Sequence, residues 1–160
     1  MRRHFTATGF IVDSDRTLLH WHKRLQQWMP PGGHIEPDED PVQAVLREVR
    51  EETGLAAEVI PIASDLPFST PGQMQPPYTI LIEDIPGPEE PHQHIDLVYF
   101  CRAVDGAGHD PALGDFHWLD EAALRSNQPL DLAACGVAVP LSEDVRLLAI
   151  KAIETARDHS

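Results

Sequence analysis

Three glutamates close together in the sequence are the residues whose types and spacing could do chemistry. Glu48 is followed by Glu51 three residues later and by Glu52 four residues later. In a helix this spacing places the carboxylates along one side, where each like-charged pair costs roughly a few tenths of a kcal/mol. A bound divalent cation would reverse that repulsion, and carboxylate oxygens suit Mg²⁺ or Mn²⁺. A solvated acidic helix face is the alternative interpretation.

A helix that carries these glutamates is predicted from clear start and stop signals. Asp40 is a predicted N-cap, Pro41 occupies the first helical position, and Gln43 can complete a capping box, while Gly54 ends the helix. An apolar stripe at helical spacing must pack against a sheet or another helix. The stripe consists of Val42, Val45, Leu46 and Val49.

The helical wheel and the preceding loop suggest where a metal would bind. On the wheel Glu52 lies nearest the buried edge, and Arg47 and Arg50 lie on the far side. Segment 28–33 contains adjacent prolines and adjacent glycines, so it is predicted to be a shaped loop. A backbone carbonyl of its Gly-Gly pair could complete the coordination shell of a metal shared with water and substrate phosphates.

The spacing around the glutamates is specific enough to identify a family. From Gly33 to Leu55 the sequence GHIEPDEDPVQAVLREVREETGL matches every defined position of GX5EX7REUXEEXGU, where U is aliphatic. This is the box of the Nudix hydrolase superfamily, which the chain resembles. The loop before the box and the later segment 115–119 are also similar to that family. The resemblance implies an α/β (α+β) fold, an α/β/α sandwich with a mixed β-sheet between helices.

The resemblance also implies roles for the matching residues. Glu48 and Glu52 would be the principal metal ligands, and Glu51 would be a ligand or the base that activates water. The carbonyl of Gly32 or Gly33 would be an additional ligand, and Mg²⁺, or Mn²⁺ in its place, would be the cofactor.

Further roles follow from the same resemblance. Arg47 would hold the neighbouring carboxylates in place, and Glu39 would orient the loop or a metal-bound water. Members of the family often take the general base from a later loop, and four acidic residues remain open for that role, each being more often a solvated loop residue. They are Glu89, Glu90, Asp110 and Asp115.

The implied activity is metal-dependent hydrolysis of a phosphoanhydride in a nucleoside diphosphate linked to another moiety. Nucleoside triphosphates are the first choice of substrate, dinucleoside polyphosphates the second and ADP-ribose the third. A module of the same fold that senses a nucleotide without hydrolysing it is the alternative, and an isomerase is a third possibility. The complete box favours the enzyme. The proline-rich loops 66–77 and 84–91 are expected to flank the pocket and select the substrate.

Substrate contacts outside the box are suggested by weaker signals. Arg24, Trp28 and His94 are the predicted contacts, and Gly9 is a possible substrate-facing position. His92 and His94 form an H-x-H pair beside a strand, which is weak evidence for zinc without a third nearby ligand. Polar residues at a strand edge are therefore the favoured interpretation of the pair.

Composition limits the class of protein. The 160 residues are predicted to form one domain, 1–160, and the formal net charge of −14 disfavours duplex nucleic acid and anionic membranes as partners. Cys101 and Cys135 are too few and too far apart for a disulfide framework, so a cytoplasmic location is expected. No apolar run approaches the ~18 residues that span a membrane. A nucleotide-type small molecule is the expected partner of a monomer or homodimer.

The remaining elements are predicted from periodicity and turn residues. The N-terminal residues favour a hairpin of strands 3–12 and 17–21. Further strands are predicted over 57–62, 78–83 and 94–104, a short helix from Asp120, and an amphipathic helix over 141–157.

Overall fold

The computed structural model of the chain describes residues 1–88, 90–104, 106, 108–133 and 135–159. The strands are β1 (Arg2–Asp13), β2 (Arg16–His22), β3 (Gln27–Met29), β4 (Gly32–His34), β5 (Ala57–Val59), β6 (Thr79–Ile85), β7 (His92–Ala103), β8 (Phe116–Asp120), β9 (Leu130–Leu132) and β10 (Val137–Val139). The helices are α1 (Pro41–Thr53), α2 (Glu121–Ser126) and α3 (Glu143–Asp158), with a single 3₁₀ turn at Pro111–Leu113. None of the described helices is long and apolar enough to cross a membrane.

Within these described residues eight strands form one mixed sheet. The order of five paired strands is β3-β2-β1-β7-β5. Three more strands pair with members of this series, β4 with β1, β6 with β7 and β8 with β2. Strands β9 and β10 form a separate two-stranded sheet. Strands β1 and β7 are parallel over eleven residue pairs, from Arg2 opposite His92 to Val12 opposite Arg102. The central position of these two strands means that their register determines which side chains meet on each face of the sheet.

The two faces of the sheet are covered by different helices. Odd-numbered residues of β1, such as Ala7 and Ile11, pack against Val45 and Val49 of α1. Even-numbered residues of β1 and β7 form a second apolar cluster with α2 and α3, which includes Phe10, Val12, Val98, Phe100, Leu124, Ala149 and Ile153. Because side chains alternate along a strand, one face receives α1 and the other receives α3. The mixed sheet between helices confirms the predicted sandwich.

Helix α1 begins and ends as its sequence predicts. The Asp40 side chain accepts from the Gln43 N–H, the Gln43 side chain accepts from the Asp40 N–H, and Gly54 has a left-handed conformation with φ 78°. Val45 and Val49 are buried against the sheet, and Ala44 and Thr53 extend the same face. The capping interactions connect residues at most four positions apart, so the sequence alone predicts where the helix begins and ends.

Other boundaries differ from the prediction. Strand β5 ends at Val59, three residues earlier than expected, and β6 continues to Ile85, into the segment predicted as a loop. The extension of β6 follows from its pairing, since Asp84 and Ile85 lie opposite Gln93 and His92 of β7. Segment 28–33 is also more regular than expected. Its ends belong to β3 and β4, and the two prolines connect these strands.

Gly9 lies where β1 and α1 make their closest approach. A Cβ atom at Gly9 would lie 2.8 Å from Val45 Cγ2 and 3.3 Å from Val49 Cγ2. The residue therefore faces the helix that carries the three glutamates. The expectation that Gly9 faces substrate is therefore wrong, because its position serves helix packing.

Gly9→Ala should destabilise the protein by overpacking this contact. We expect the free energy of unfolding to fall by ~1–3 kcal/mol, the usual cost of an extra methyl group in a packed core. Urea denaturation at equilibrium measures the change. Gly72→Ala is the matched control, since a Cβ atom at Gly72 would meet nothing within 4 Å. Equal stability of the Gly9→Ala variant and the wild type would contradict the proposed close packing.

Candidate active site

Two of the three glutamates of α1, Glu48 and Glu52, face the backbone of strand β4. The backbone N–H of Gly32 donates a hydrogen bond of 2.9 Å to Glu52 Oε1. A Cβ atom at Gly33 would collide with the carboxylate of Glu48, so glycine at this position lets the carboxylate keep its place against β4. The structure thus brings together the glycine pair and the glutamates that sequence analysis predicted as metal ligands.

Arg47 organises these carboxylates from the side. Its guanidinium donates to Glu39 Oε1 at 2.6 Å and Oε2 at 3.0 Å, to Glu48 Oε1 at 2.9 Å and to Glu51 Oε2 at 3.3 Å. It also donates to the carbonyl of His34 at 3.1 Å. These hydrogen bonds tie helix α1 to β4 and hold the pKa of Glu39 below its usual value.

The position of Arg47 corrects the helical-wheel prediction. Arg47 was expected on the side of α1 away from the acidic residues, yet its guanidinium contacts Glu48 and Glu51 directly. A wheel locates the Cβ atom, whereas the long side chain extends over the preceding turn and along the helix surface. Arg50 is exposed, as expected.

Glu52 is the carboxylate most affected by its surroundings. Burial, followed by the charges of Glu48 and Glu51, raises its pKa to about 7, although the hydrogen bond from Gly32 acts in the opposite direction. Three carboxylates therefore share a small region that disfavours full ionisation in the absence of a cation. A hard divalent ion would compensate this repulsion with the oxygen donors it prefers, so the donor set fits such an ion.

His20 was not singled out by sequence analysis, and it contacts this group. Its Nε2 atom lies 3.3 Å from Glu52 Oε2, but it is buried and has no hydrogen-bond partner. Burial and the nearby His22 lower the pKa of His20 to about 4, so the ring is neutral at pH 7 and the contact is not an ion pair. No sequence signal connects β2 to α1, because the contact arises only from tertiary packing.

Two cavities lie near this site and share part of their lining, and glutamates of α1 line the first of them. The first has a volume of about 590 Å³, and its lining includes Lys23, Arg24, Glu51, Glu52 and Asp115. The second has a volume of about 320 Å³, and its lining includes Thr6, Thr8, Gly32, Gly33, Glu83, His94 and Asp96. Arg24 and His22 line both cavities. One ligand could therefore extend from the carboxylates into the second cavity past Arg24.

The second cavity contains two acidic residues that sequence analysis did not assign to the site. Asp96 Oδ1 accepts hydrogen bonds from Thr6 Oγ1 at 2.8 Å and Thr8 Oγ1 at 2.9 Å. Glu83 lies opposite His94 in the β6–β7 pairing. Burial, followed by the charges of Asp96 and Asp144, raises the pKa of Glu83 to about 7. A signal for Asp96 was present in the sequence, since it interrupts the apolar run 95–100.

Of the three residues predicted to contact substrate, two line a cavity and one is buried. Arg24 and His94 line the second cavity. The pKa of His94 is lowered to about 4, mainly by burial and also by the nearby His34 and His92. Trp28 is only 1% exposed and packs edge-on against Trp21 and His117. The expectation of a substrate contact at Trp28 is wrong, because pairing of β3 with β2 places its ring in the core.

The candidates for a general base are also separated by the structure. Asp115 lines the first cavity together with Glu51 and Glu52. Asp110 caps the 3₁₀ turn by accepting from the Ala112 N–H at 2.9 Å. Glu90 lies with Arg2, His4 and His92 around a separate cavity of about 80 Å³, and Glu89 lies outside the described residues.

The loops expected to flank the pocket contribute unequally. Ile85, from the segment 84–91, lines the second cavity. In the described part of the chain, no residue of 66–77 lines either of the two cavities. Strands β1, β6 and β7 each contribute two residues to the lining of the second cavity and β4 contributes three, so the sheet supplies more of the pocket than sequence analysis assigned to it.

Comparison with known proteins agrees with this architecture. The model of the NUDIX domain family matches residues 2–134. A CTP pyrophosphohydrolase of Escherichia coli (strain K12) is 31% identical over 127 residues, which cover 76% of this chain and 93% of that protein. A mouse (Mus musculus) bis(5'-nucleosyl)-tetraphosphatase (asymmetrical) is 42% identical over 61 residues, 38% of this chain and 42% of that protein.

The fold has a similar solved counterpart. The crystal structure of a NUDIX family hydrolase from Clostridium perfringens aligns with a TM-score of 0.73 and 27% identity, covering 98% of this chain and 99% of that chain. Its mixed α+β architecture is the one described above. Because the family model spans most of the sequence and the box is complete from Gly33 to Leu55, the chain belongs to the NUDIX family of hydrolases.

Proposed function

We propose that this enzyme hydrolyses a phosphoanhydride bond of a nucleoside triphosphate in the presence of Mg²⁺, with Mn²⁺ as a substitute. The observation that carries the proposal is the position of Glu52 and Glu48 against the Gly32–Gly33 backbone, marked by the 2.9 Å hydrogen bond to Glu52, with Glu51 joined to Glu48 through Arg47. Hydrolases of this family generally use divalent metal ions. The Escherichia coli relative, of which 93% is covered by the alignment, is named a CTP pyrophosphohydrolase.

The metal would be held by Glu48, Glu51, Glu52 and a carbonyl of the glycine pair. When bound, it supplies positive charge to the phosphates and lowers the pKa of a coordinated water. Arg47 keeps Glu48 and Glu51 in position through its hydrogen bonds. This arrangement lets carboxylates that repel one another remain close enough to share one cation.

The chain itself provides phosphate contacts and a proton acceptor in the first cavity. Lys23 and Arg24 are the cationic side chains of its lining and would bind the phosphate oxygens of the substrate. Asp115 and Glu51 lie in the same lining, so their carboxylates are the two groups placed to accept a proton from the attacking water. Asp110 caps the 3₁₀ turn and does not line this cavity, so we do not assign the role to it.

The second cavity would receive the base of the nucleotide. Its volume of about 320 Å³ is near the lower end of the ~300–1,000 Å³ range of ligand pockets, which suits one base. The carboxyl groups of Asp96 and Glu83 can accept hydrogen bonds from an exocyclic amino group, as found in cytosine and adenine. Such a base occurs in all three substrate classes, and the relative named for CTP pyrophosphohydrolysis is what keeps nucleoside triphosphates the first choice, ahead of dinucleoside polyphosphates and ADP-ribose.

A substrate panel with and without metal tests the proposed reaction. Product analysis in Mg²⁺ should show cleavage of nucleoside triphosphates at the highest kcat/KM, and excess EDTA should abolish turnover of every substrate. The melting temperature should change little on chelation, because the core clusters that hold α1 and α3 contain no metal ligand. Full turnover in EDTA would contradict the metal role. Faster cleavage of ADP-ribose would contradict the choice of substrate.

Glu52→Gln should separate catalysis from folding. The amide keeps the size of the side chain and can still accept from the Gly32 N–H, but it removes the charge. We expect kcat to fall at least ~100-fold, while the melting temperature stays level or rises as repulsion is relieved. Glu58→Gln, which changes an exposed glutamate on β5, is the matched control and should leave kcat unchanged. Equal kcat for the two variants would show that the box is not catalytic.

Glu83→Gln should change how stability depends on pH. The folded state holds the Glu83 proton to about pH 7, whereas the unfolded chain releases it near 4.5, so this carboxyl costs stability as pH rises through that interval. The variant should therefore gain stability relative to the wild type at about pH 8 and gain little below pH 4.5. Urea midpoints at both pH values, in EDTA, measure the difference. A difference independent of pH would contradict burial of an ionisable Glu83.

A further inference from the structure

Three histidines lie together at the end of the sheet face that also carries the second cavity. In the parallel pairing of β1 and β7, His4 lies directly opposite His94, and His92 precedes His94 by two residues. Because side chains alternate along a strand, all three project from the same face. The H-x-H pair, interpreted from sequence as polar strand-edge residues, thus gains the third histidine that zinc binding requires.

The three rings are close enough to share one ion. Their centroids are 5.1 Å apart for His4 and His92, 5.3 Å for His92 and His94, and 6.1 Å for His4 and His94. One ring nitrogen from each lies within 4.8 Å of the other two. A tetrahedral zinc ion with Zn–N bonds of about 2.1 Å needs nitrogens about 3.4 Å apart, so modest ring rotations complete the site.

Hydrogen bonding prepares these nitrogens as ligands. The carbonyl oxygen of Glu90 accepts from His92 Nδ1 at 3.2 Å, which leaves the lone pair of His92 on Nε2. His94 Nε2 is buried and has no hydrogen-bond partner. A backbone carbonyl that fixes the tautomer of a histidine is a common partner of metal-ligating histidines, and an unpaired buried nitrogen calls for an explanation.

We propose that His4, His92 and His94 form a binding site for a divalent transition metal ion, with Zn²⁺ as its occupant. Imidazole nitrogens suit zinc, whereas the carboxylates of α1 suit magnesium, so the two sites select different ions. His34 Nε2 lies 3.2 Å from His4 Nδ1 and stands beside the site as a further imidazole. A bound ion would join the start of β1 to the start of β7 and fix the ring of His94 at the cavity wall.

Zinc binding can be measured without any enzymatic readout. The background is the full chain with Glu52→Gln, which weakens the carboxylate site, and Cys135→Ser, which removes an exposed thiol. Zn²⁺ is titrated calorimetrically in excess Mg²⁺, and melting temperature is recorded with and without Zn²⁺. We expect one equivalent to bind and the melting temperature to rise, because the ion binds the folded state. Co²⁺ in place of Zn²⁺ should give the visible absorption of tetrahedral coordination.

Matched variants assign the ion to these residues. His92→Gln and, separately, His4→Gln should weaken Zn²⁺ binding at least ~10-fold and remove the rise in melting temperature. His159→Gln, which changes an exposed histidine at the end of α3, should bind Zn²⁺ as the background does. Circular dichroism establishes that each variant is folded, and the two cluster variants provide independent tests.

Two outcomes would overturn the proposal. The first is the absence of a saturable equivalent of Zn²⁺ in the folded background protein. The second is equal Zn²⁺ affinity in His92→Gln, His4→Gln and the His159→Gln control. Neither outcome depends on nucleotide hydrolysis, so a failure of the zinc site and a failure of the proposed hydrolysis remain distinguishable.

Discussion

The burial of a charged carboxylate at the edge of α1 is the constraint on which the rest of the site depends. Glu52 is held against β4 by the Gly32 N–H, and its raised pKa of about 7 reflects burial before any other influence. Removing a carboxylate from water is unfavourable unless other groups compensate. Arg47 compensates the neighbouring Glu48 and Glu51, and a divalent cation would compensate all three. Glycine at position 33 leaves room for this group, because a side chain there would displace the carboxylate of Glu48.

One face of the central strands β1 and β7 carries three successive regions along the strand direction. Under α3 the even-numbered residues are apolar, as at Phe10 and Phe100. Farther along the strands they become polar, with Asp96 held by the hydroxyls of Thr6 and Thr8. At the end the same alternation presents histidines. A single parallel register between β1 and β7 therefore places core, cavity and histidine cluster in order, and a shift of one residue would move all three to the wrong face.

The two groups of polar side chains differ in chemistry as well as in place. The α1 group offers carboxylate oxygens that favour a hard cation, and the cluster at the start of β1 and β7 offers imidazole nitrogens. The second cavity lies between the two groups. Its lining includes Gly33, which lies against Glu48, and His94, which belongs to the histidine cluster. Under the two proposals made above, the cavity would hold a nucleotide between two metal-binding groups.

The sequence by itself determined the features that depend on near neighbours. The capping box of α1, its apolar stripe, the spacing of the glutamates and the N-terminal hairpin all rest on contacts between residues a few positions apart, and the box was sufficient to identify the family. The family resemblance implied that Arg47 holds the neighbouring carboxylates, although the helical wheel placed it on the far side. Only the tertiary structure decided the burial of Trp28 and the contact of His20 with Glu52. The cavity and the histidine cluster were beyond sequence reasoning for the same reason. They require residues as far as 90 positions apart, such as Thr6 and Asp96, to meet in one register, and local periodicity carries no information about which strands pair.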